Sequence, residues 1–139
     1  AGQEHPLGVG AGSLAMLAGL PDEEVAQVLA ENAQILTERY PALPPERILE
    51  RVEETRRRGF SLNPGLIFAN SWGIGAALRH PDGQVIGALS IAAIDSRMQE
   101  PRQQELAGFL HEEVLRVEEK LAAMFASREQ KAAARAISA

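Results

Sequence analysis

Gly8, Gly10 and Gly12 alternate ahead of Ser13 in the stretch GVGAGSLAML. A glycine-rich entry into a helix is where phosphate-binding loops are built, so nucleotide chemistry is the first possibility to weigh. The stretch lacks what that chemistry needs. No Gly-Lys-Ser/Thr is present and Ser13 has no lysine before it. Nor does it satisfy the dinucleotide fingerprint: no strand clearly precedes it, and no acidic residue closes a following strand about 20 residues on. What remains is physical. Free amides at a helix N-terminus attract anions and carbonyl oxygens, and small residues let a ligand or another backbone come close. The plainer alternative is a tight turn with Ser13 as a cap.

The other chemistry-bearing residues are scattered. The histidines His5, His80 and His111 have no spacing that would converge three or four ligands, so no metal site is expected. Adjacent Glu112 and Glu113 project about 100° apart on a helix and read as a solvated face. No Gly-x-Ser-x-Gly and no Ser/His/Asp spacing suggests a nucleophile, and there are no cysteines for thiolate catalysis or disulfides. Neither catalysis nor a cofactor is expected. Asn70, Ser71 and Ser90 are the polar residues of interest, because hydroxyls and amides around a cavity orient a small ligand. A buried serine satisfying a nearby carbonyl is the alternative. Trp72 suits either a pocket wall or packing against a helix or subunit.

These residues need a scaffold of ordinary globular composition. Of 139 residues, 45% are hydrophobic and 24% charged, enough for one domain with a core. A net charge of −5 gives no reason to expect nucleic-acid binding by this chain. The Arg56-Arg57-Arg58 cluster reads as a helix C-terminus meeting its dipole. No apolar run is long enough to span a membrane, and no signal-like segment opens the chain; a cytoplasmic domain is the default expectation.

The pattern predicts a short helix over 8–19, broken at Gly19-Leu20-Pro21. A second helix runs from Asp22 to about Tyr40, through Val25, Val28, Leu29 and Leu36. Pro45 opens a third, ending at Arg58 with Gly59 at the left-handed cap position. Phe60 to Leu62 is extended. Ile74–Arg79 and Val85–Ile94 form a hairpin across the His80-Pro81-Asp82-Gly83 turn. Along the second strand, Val85, Gly87, Leu89 and Ile91 share a bulky face. Ile86, Ala88, Ser90 and Ala92 share one that narrows to small and polar groups. Something large, a helix or a ligand, is expected against the small face. Pro101 opens a long helix with an apolar stripe of Leu106, Leu110, Val114, Val117, Leu121 and Phe125. The tail 126–139 is expected to fray. The class is α+β, but two strands do not make an independent sheet. Further strands are expected in the first residues and around 60–68, or upstream of Ala1.

The phrases PLGVGAGSLAMLAGLP, RRRGFSLNPG and GIGAALRHPDGQVIGALSIAAIDSRM occur in that order. Together they resemble the effector-binding domain of the IclR family of bacterial transcription regulators over residues 6–125. The resemblance implies a GAF-like sensor fold, with an antiparallel sheet flanked by helices and its opening strands missing from residues 1–139. Such sensors bind small organic acids or aromatic compounds and alter promoter binding by a separate winged helix-turn-helix, as dimers or tetramers. Carried over residue by residue, the effector positions are Gly10, Ala11, Asn63, Ser71, Gly73, Ser90 and Ala92. Gly10 and Ala11 would offer backbone amides to an effector carboxylate. Asn63 stands where Asp or Ser is common, Leu66 where Glu is usual, and Arg79 and His80 where an aromatic and an Asp or Asn are common. Those departures imply a less polar pocket, suited to an apolar or aromatic effector with one carboxylate. A ligand-free oligomerisation or structural module, or an unfamiliar enzyme, are the alternatives. The presence of a cavity separates sensor from module.

Overall fold

The computed structural model describes residues 6–64, 71–94 and 99–138. The described elements run α1 (Ala11–Ala18), α2 (Asp22–Glu31), α3 (Ala33–Arg39), α4 (Pro45–Arg58), β1 (Ser61–Pro64), β2 (Ser71–Arg79), β3 (Val85–Ile94) and α5 (Arg102–Ser138). The class is α+β, as the periodicities imply.

Two apolar clusters hold the chain together on opposite sides of the sheet. Val9, Leu14, Leu17, Val25, Leu29, Leu36, Leu43, Ile48 and Val52 pack α1 to α4 into a helical layer. Phe60, Ile74, Ala76 and Leu78 pack against Ala107, Leu110 and Val114 of α5. Leu106 and Val117 of the predicted α5 stripe border that second cluster.

The helix expected over Asp22 to Tyr40 is divided at Asn32. The hydrogen-bond ladder hardly breaks there: Asn32 N–H donates to the Val28 carbonyl at 3.1 Å and its own carbonyl accepts from Leu36 at 3.0 Å. Asn32 itself sits at φ −96, ψ 3. Asparagine is a weak helix former, and here its ψ leaves the helical range while the hydrogen bonds on either side persist. α4 follows its sequence signals, with Pro45 at the first helical position and Gly59 at φ +90. Arg56 meets the negative end of a different helix. Its Nε donates to the Ala18 carbonyl at 2.9 Å, and its Nη atoms reach the Leu20 carbonyl at 2.8 Å and Asp22 at 2.6 Å. This fastens the end of α4 to the C-terminus of α1.

A third strand lies within the 60–68 window. The sheet order is β1-β2-β3, antiparallel throughout, with Ser61 opposite Gly75 and Asn63 opposite Gly73. β2 starts at Ser71, three residues earlier than the expected Ile74. In the β2–β3 register Gly73 faces Ala92, Gly75 faces Ser90 and Ala77 faces Ala88. The period of two therefore gathers Ser61, Asn63, Ser71, Gly73, Gly75, Ala77, Ala88, Ser90 and Ala92 on one face. The opposite face carries the residues that pack on α5. α5 continues to Ser138, and every described side chain from 126 to 137 is exposed.

Candidate functional site

The small-residue face of the sheet has a helix lying on it. α1 approaches so closely that a Cβ on Gly75 would stand 2.5 Å from the Ala11 carbonyl oxygen and 2.7 Å from Ser61 Oγ. A Cβ on Gly73 would meet Ala11 Cβ at 2.9 Å, and one on Gly19 would meet Val85 Cγ2 at 2.6 Å. The helix thus begins above Gly73 and Gly75 and ends above the hairpin. The Ser61 hydroxyl, fully buried, donates to the Ala11 carbonyl and anchors this start.

α1 is too short to cover the sheet. Its 8 residues span about 12 Å at 1.5 Å each. The 9 residues of β2 span about 30 Å. The uncovered end is a cleft of about 160 Å³ lined by Gly10, Ala11, Asn63, Ser71, Trp72, Gly73, Ser90, Ile91 and Ala92. The structure thus places the seven effector positions Gly10, Ala11, Asn63, Ser71, Gly73, Ser90 and Ala92 around one cleft, with Arg79 and His80 elsewhere. Asn70 and Leu66 lie outside the described residues. Trp72 and Ile91 also border the cleft; the sequence left Trp72 open between pocket and packing. Their side chains pack in the α5 cluster on the other face. Gly75 and Ser61, which make the close approach of α1 possible, carry no sequence signal beyond small size.

Ser13 organises the turn into α1. Its Oγ accepts from the Gly8 N–H at 3.2 Å and the Gly10 N–H at 3.1 Å, and donates to the Gly10 carbonyl at 3.1 Å. Ser13 thus stands at the third helical position and reaches back to the Gly10 N-cap, the returning half of a capping box whose other half a glycine cannot supply. One consequence corrects the sequence expectation: the Gly10 amide is already occupied by Ser13 and is not free to meet a carboxylate. Gly8 stands at φ +100, where a Cβ would meet Ile48 Cγ2 at 2.8 Å, so only glycine fits this turn.

Asn63 is buried at 8% exposure in the cleft wall. Its Nδ2 donates to the Val9 carbonyl at 3.2 Å, while Oδ1 has no hydrogen-bond partner. The serines add hydroxyls at the cleft rim. No charged side chain is among the described lining residues.

Larger grooves exist elsewhere. One of about 630 Å³ runs between Gly19–Pro21 and the hairpin and contains Arg56 and Arg79. Arg56 is held as described above. Arg79 donates to the Gly83 carbonyl at 2.7 Å and the Gly19 carbonyl at 3.4 Å, closing the hairpin onto α1. Among the described residues there is no cluster of acidic or histidine side chains able to hold a metal ion. No described helix is long and apolar enough to cross a membrane. His80 lies on Phe125 with ring centroids 4.8 Å apart, and His111 Nε2 is 2.7 Å from the Gly59 carbonyl. Both histidines are thus placed by packing, away from the cleft.

The family of bacterial transcriptional regulator IclR C-terminal domains matches residues 1–119. No curated protein sequence matches the chain. Among solved structures, the Agrobacterium tumefaciens repressor BlcR is 26% identical with a TM-score of 0.76, over 87% of this chain and 49% of that one. The C-terminal domain of the Escherichia coli transcriptional regulator KdgR is 25% identical with a TM-score of 0.73, over 87% of this chain and 74% of that one. IclR of Thermotoga maritima shares the fold at 20% identity, with a TM-score of 0.74 over 84% of this chain and 47% of that one. The chain therefore spans about half the length of the BlcR chain it matches.

Proposed function

The chain belongs to the IclR C-terminal family of bacterial transcriptional regulators, and from that premise we propose that it senses a small effector in the cleft beside α1. Binding there modulates DNA binding by a separate winged helix-turn-helix, as repressor or activator, in a cytoplasmic homo-oligomer. The domain acts by binding, with no turnover. One observation carries this reading. The small-residue face is only partly covered by α1, and the uncovered end is a cleft with polar groups directed at it. A module whose small residues served only to seat a helix would have that face filled.

The size of the cleft bounds the effector. A cavity of roughly 150 Å³ accommodates benzene, so about 160 Å³ suits a molecule of about six to ten heavy atoms. That is compatible with a small aromatic or a short organic acid. With Gly10 occupied by Ser13, a carboxylate would be received by the Ala11 end of α1 alone.

Coupling to DNA requires the effector to bind one arrangement of the assembly better than another. Titrating benzoate against benzamide, read by ¹⁵N NMR, tests the carboxylate. Tighter benzoate binding, with shifts at Ala11, is the expected outcome; equal affinity would exclude a carboxylate-specific site. Gly10→Val tests the cleft itself. Gly10 is extended at φ −88, ψ 165, a conformation valine adopts freely. The variant should fold normally and lose effector binding.

A further inference from the structure

We propose that the projecting half of α5 is a contact for duplex DNA: Arg128, Lys131 and Arg135 lie along the sugar–phosphate backbone and neutralise phosphates without reading sequence. This goes beyond the cleft reading and does not depend on it. α5 is longer than the sheet it packs on. Leu110 and Val114 are buried against the sheet. Further along the same face, Phe125 rests on His80 at the hairpin turn, with ring centroids 4.8 Å apart. Past that point the helix runs on to Ser138, and every described side chain from 126 to 137 is exposed. Arg128, Lys131 and Arg135 follow Phe125 at steps of three, three and four. The face that is apolar over the sheet therefore becomes basic beyond it. Glu129, the only acid of residues 126–139, projects about 100° away from Arg128. The net charge of −5 thus conceals a local reversal at this end of the chain.

The helix dipole explains only part of this stripe. It favours cations within the last turn, which accounts for Arg135 but not for Arg128 or Lys131. Neither of those two has an ion-pair partner among the described residues. The partner that complements them is a polyanion. An acidic protein surface fits poorly, because stable protein interfaces need an apolar or aromatic core and are depleted in lysine. Beyond Phe125 the stripe offers only Ala132 beside its cations. A phosphate backbone needs nothing more than positive charge and close approach, and the flanking alanines leave room for it. Arg128 to Arg135 covers two turns, about 10 Å, the length over which one DNA strand carries about three phosphates. The family to which the chain belongs regulates transcription, so DNA is the polyanion at hand. The stripe lies beyond residues 1–119, the part that the family match covers.

The test titrates the full chain with a mixed-sequence duplex of about 20 base pairs at about 20 mM salt, followed by ¹⁵N NMR. Amide shifts should be confined to the turns that carry Arg128, Lys131 and Arg135. Three phosphate contacts make the affinity fall about sixfold with each doubling of salt. Lys131→Ala should reduce that to about three- to fourfold, and Arg128→Ala combined with Lys131→Ala to about twofold. Alanine is the best helix former, so these variants keep the helix while losing the charge. A duplex of shuffled sequence should bind equally, and ending the chain at Phe125 should abolish binding. The DNA contact is overturned if no amide of the stripe moves at this salt, or if the duplex shifts other residues instead. It is equally overturned if the salt dependence is the same in the alanine variants, or if one duplex sequence is clearly preferred. Stripe amides that ignore the duplex but shift with protein concentration would assign the stripe to a second copy of the chain and sink the DNA contact.

Discussion

At the scale of single residues, two glycines of similar sequence context have opposite structural roles. Gly75 lies beneath Ala11, where an added methyl would collide with backbone. Gly12 faces Ala88 Cβ at 3.7 Å and Ser90 at 3.8 Å, ordinary van der Waals distances. Gly75→Ala should therefore destabilise by at least about 1–3 kcal/mol through overpacking. Gly12→Ala should be neutral or stabilising by up to about 1 kcal/mol through helix propensity. Urea denaturation of the two variants measures the contrast; equal effects would mean that α1 does not sit on the sheet as described. Ser13→Ala removes the acceptor for two amides and should cost about 1 kcal/mol, measured in the same way.

The cleft was legible in the sequence to the extent that small residues and a familiar order of phrases marked its walls. Gly10, Ala11, Gly73, Ser90 and Ala92 come from three distant segments, and the β2–β3 register is what places the last three together. The orphaned oxygen of Asn63 was not legible. It depends on Val9 claiming Nδ2 across 54 positions of chain, a contact that no local pattern encodes. For the same reason the amide of Gly10 looked free: whether Ser13 caps that amide or leaves it open depends on a side-chain rotamer.

Among the elements, the strongest sequence signals were those whose physics is local. Pro45 and Gly59 bound α4 because each acts on its own φ angle. Gly59 at φ +90 has open space around its Cα, so the only penalty for a side chain there is backbone strain. Gly59→Ala should cost about 1–2 kcal/mol, and Gly59→Asn distinctly less, because asparagine tolerates the left-handed region. Thermal melts of both variants check the order. The division at Asn32 lies in the φ and ψ of one residue, and Val25, Leu29 and Leu36 keep the spacing of one helix face across it, so periodicity does not reveal it. The early start of β2 was missed because strand pairing chooses it. Ser71 to Gly73 become strand because β3 residues Ala92 to Ile94 are there to pair with them.

Arg51 illustrates how elements are joined at a sheet edge. Its guanidinium donates to the Leu62 carbonyl at 2.9 Å, and burial lowers its pKa from the ordinary arginine value, against the opposing charge of Glu54. A cation across a β1 carbonyl blunts that strand against pairing with other chains.

At the scale of the whole molecule, the chain is a sheet between two unequal supports. α5, about 55 Å long at 37 residues, uses its first half against the sheet. Residues 126 to 137 are exposed throughout. Truncation after Phe125 should leave the melting temperature of the remaining domain nearly unchanged. The helical layer and α1 form the other support, and the cleft lies where that support stops short. An effector bound there would touch α1, β1, β2 and β3 at once, which would let its binding alter how the helical layer sits on the sheet.

On the proposed function, this gap and not one of the larger grooves receives the effector. A small-metabolite library screened by ¹⁵N NMR against the wild type and Ala92→Ile tests it most directly. Ala92 is exposed on a strand, so isoleucine there fills the cleft while suiting the strand. Hits should shift signals clustered at Gly10, Ala11, Asn63 and Gly73, and those shifts should vanish in Ala92→Ile. Shifts centred on Gly19, Arg56 and Arg79, unchanged by the substitution, would contradict it.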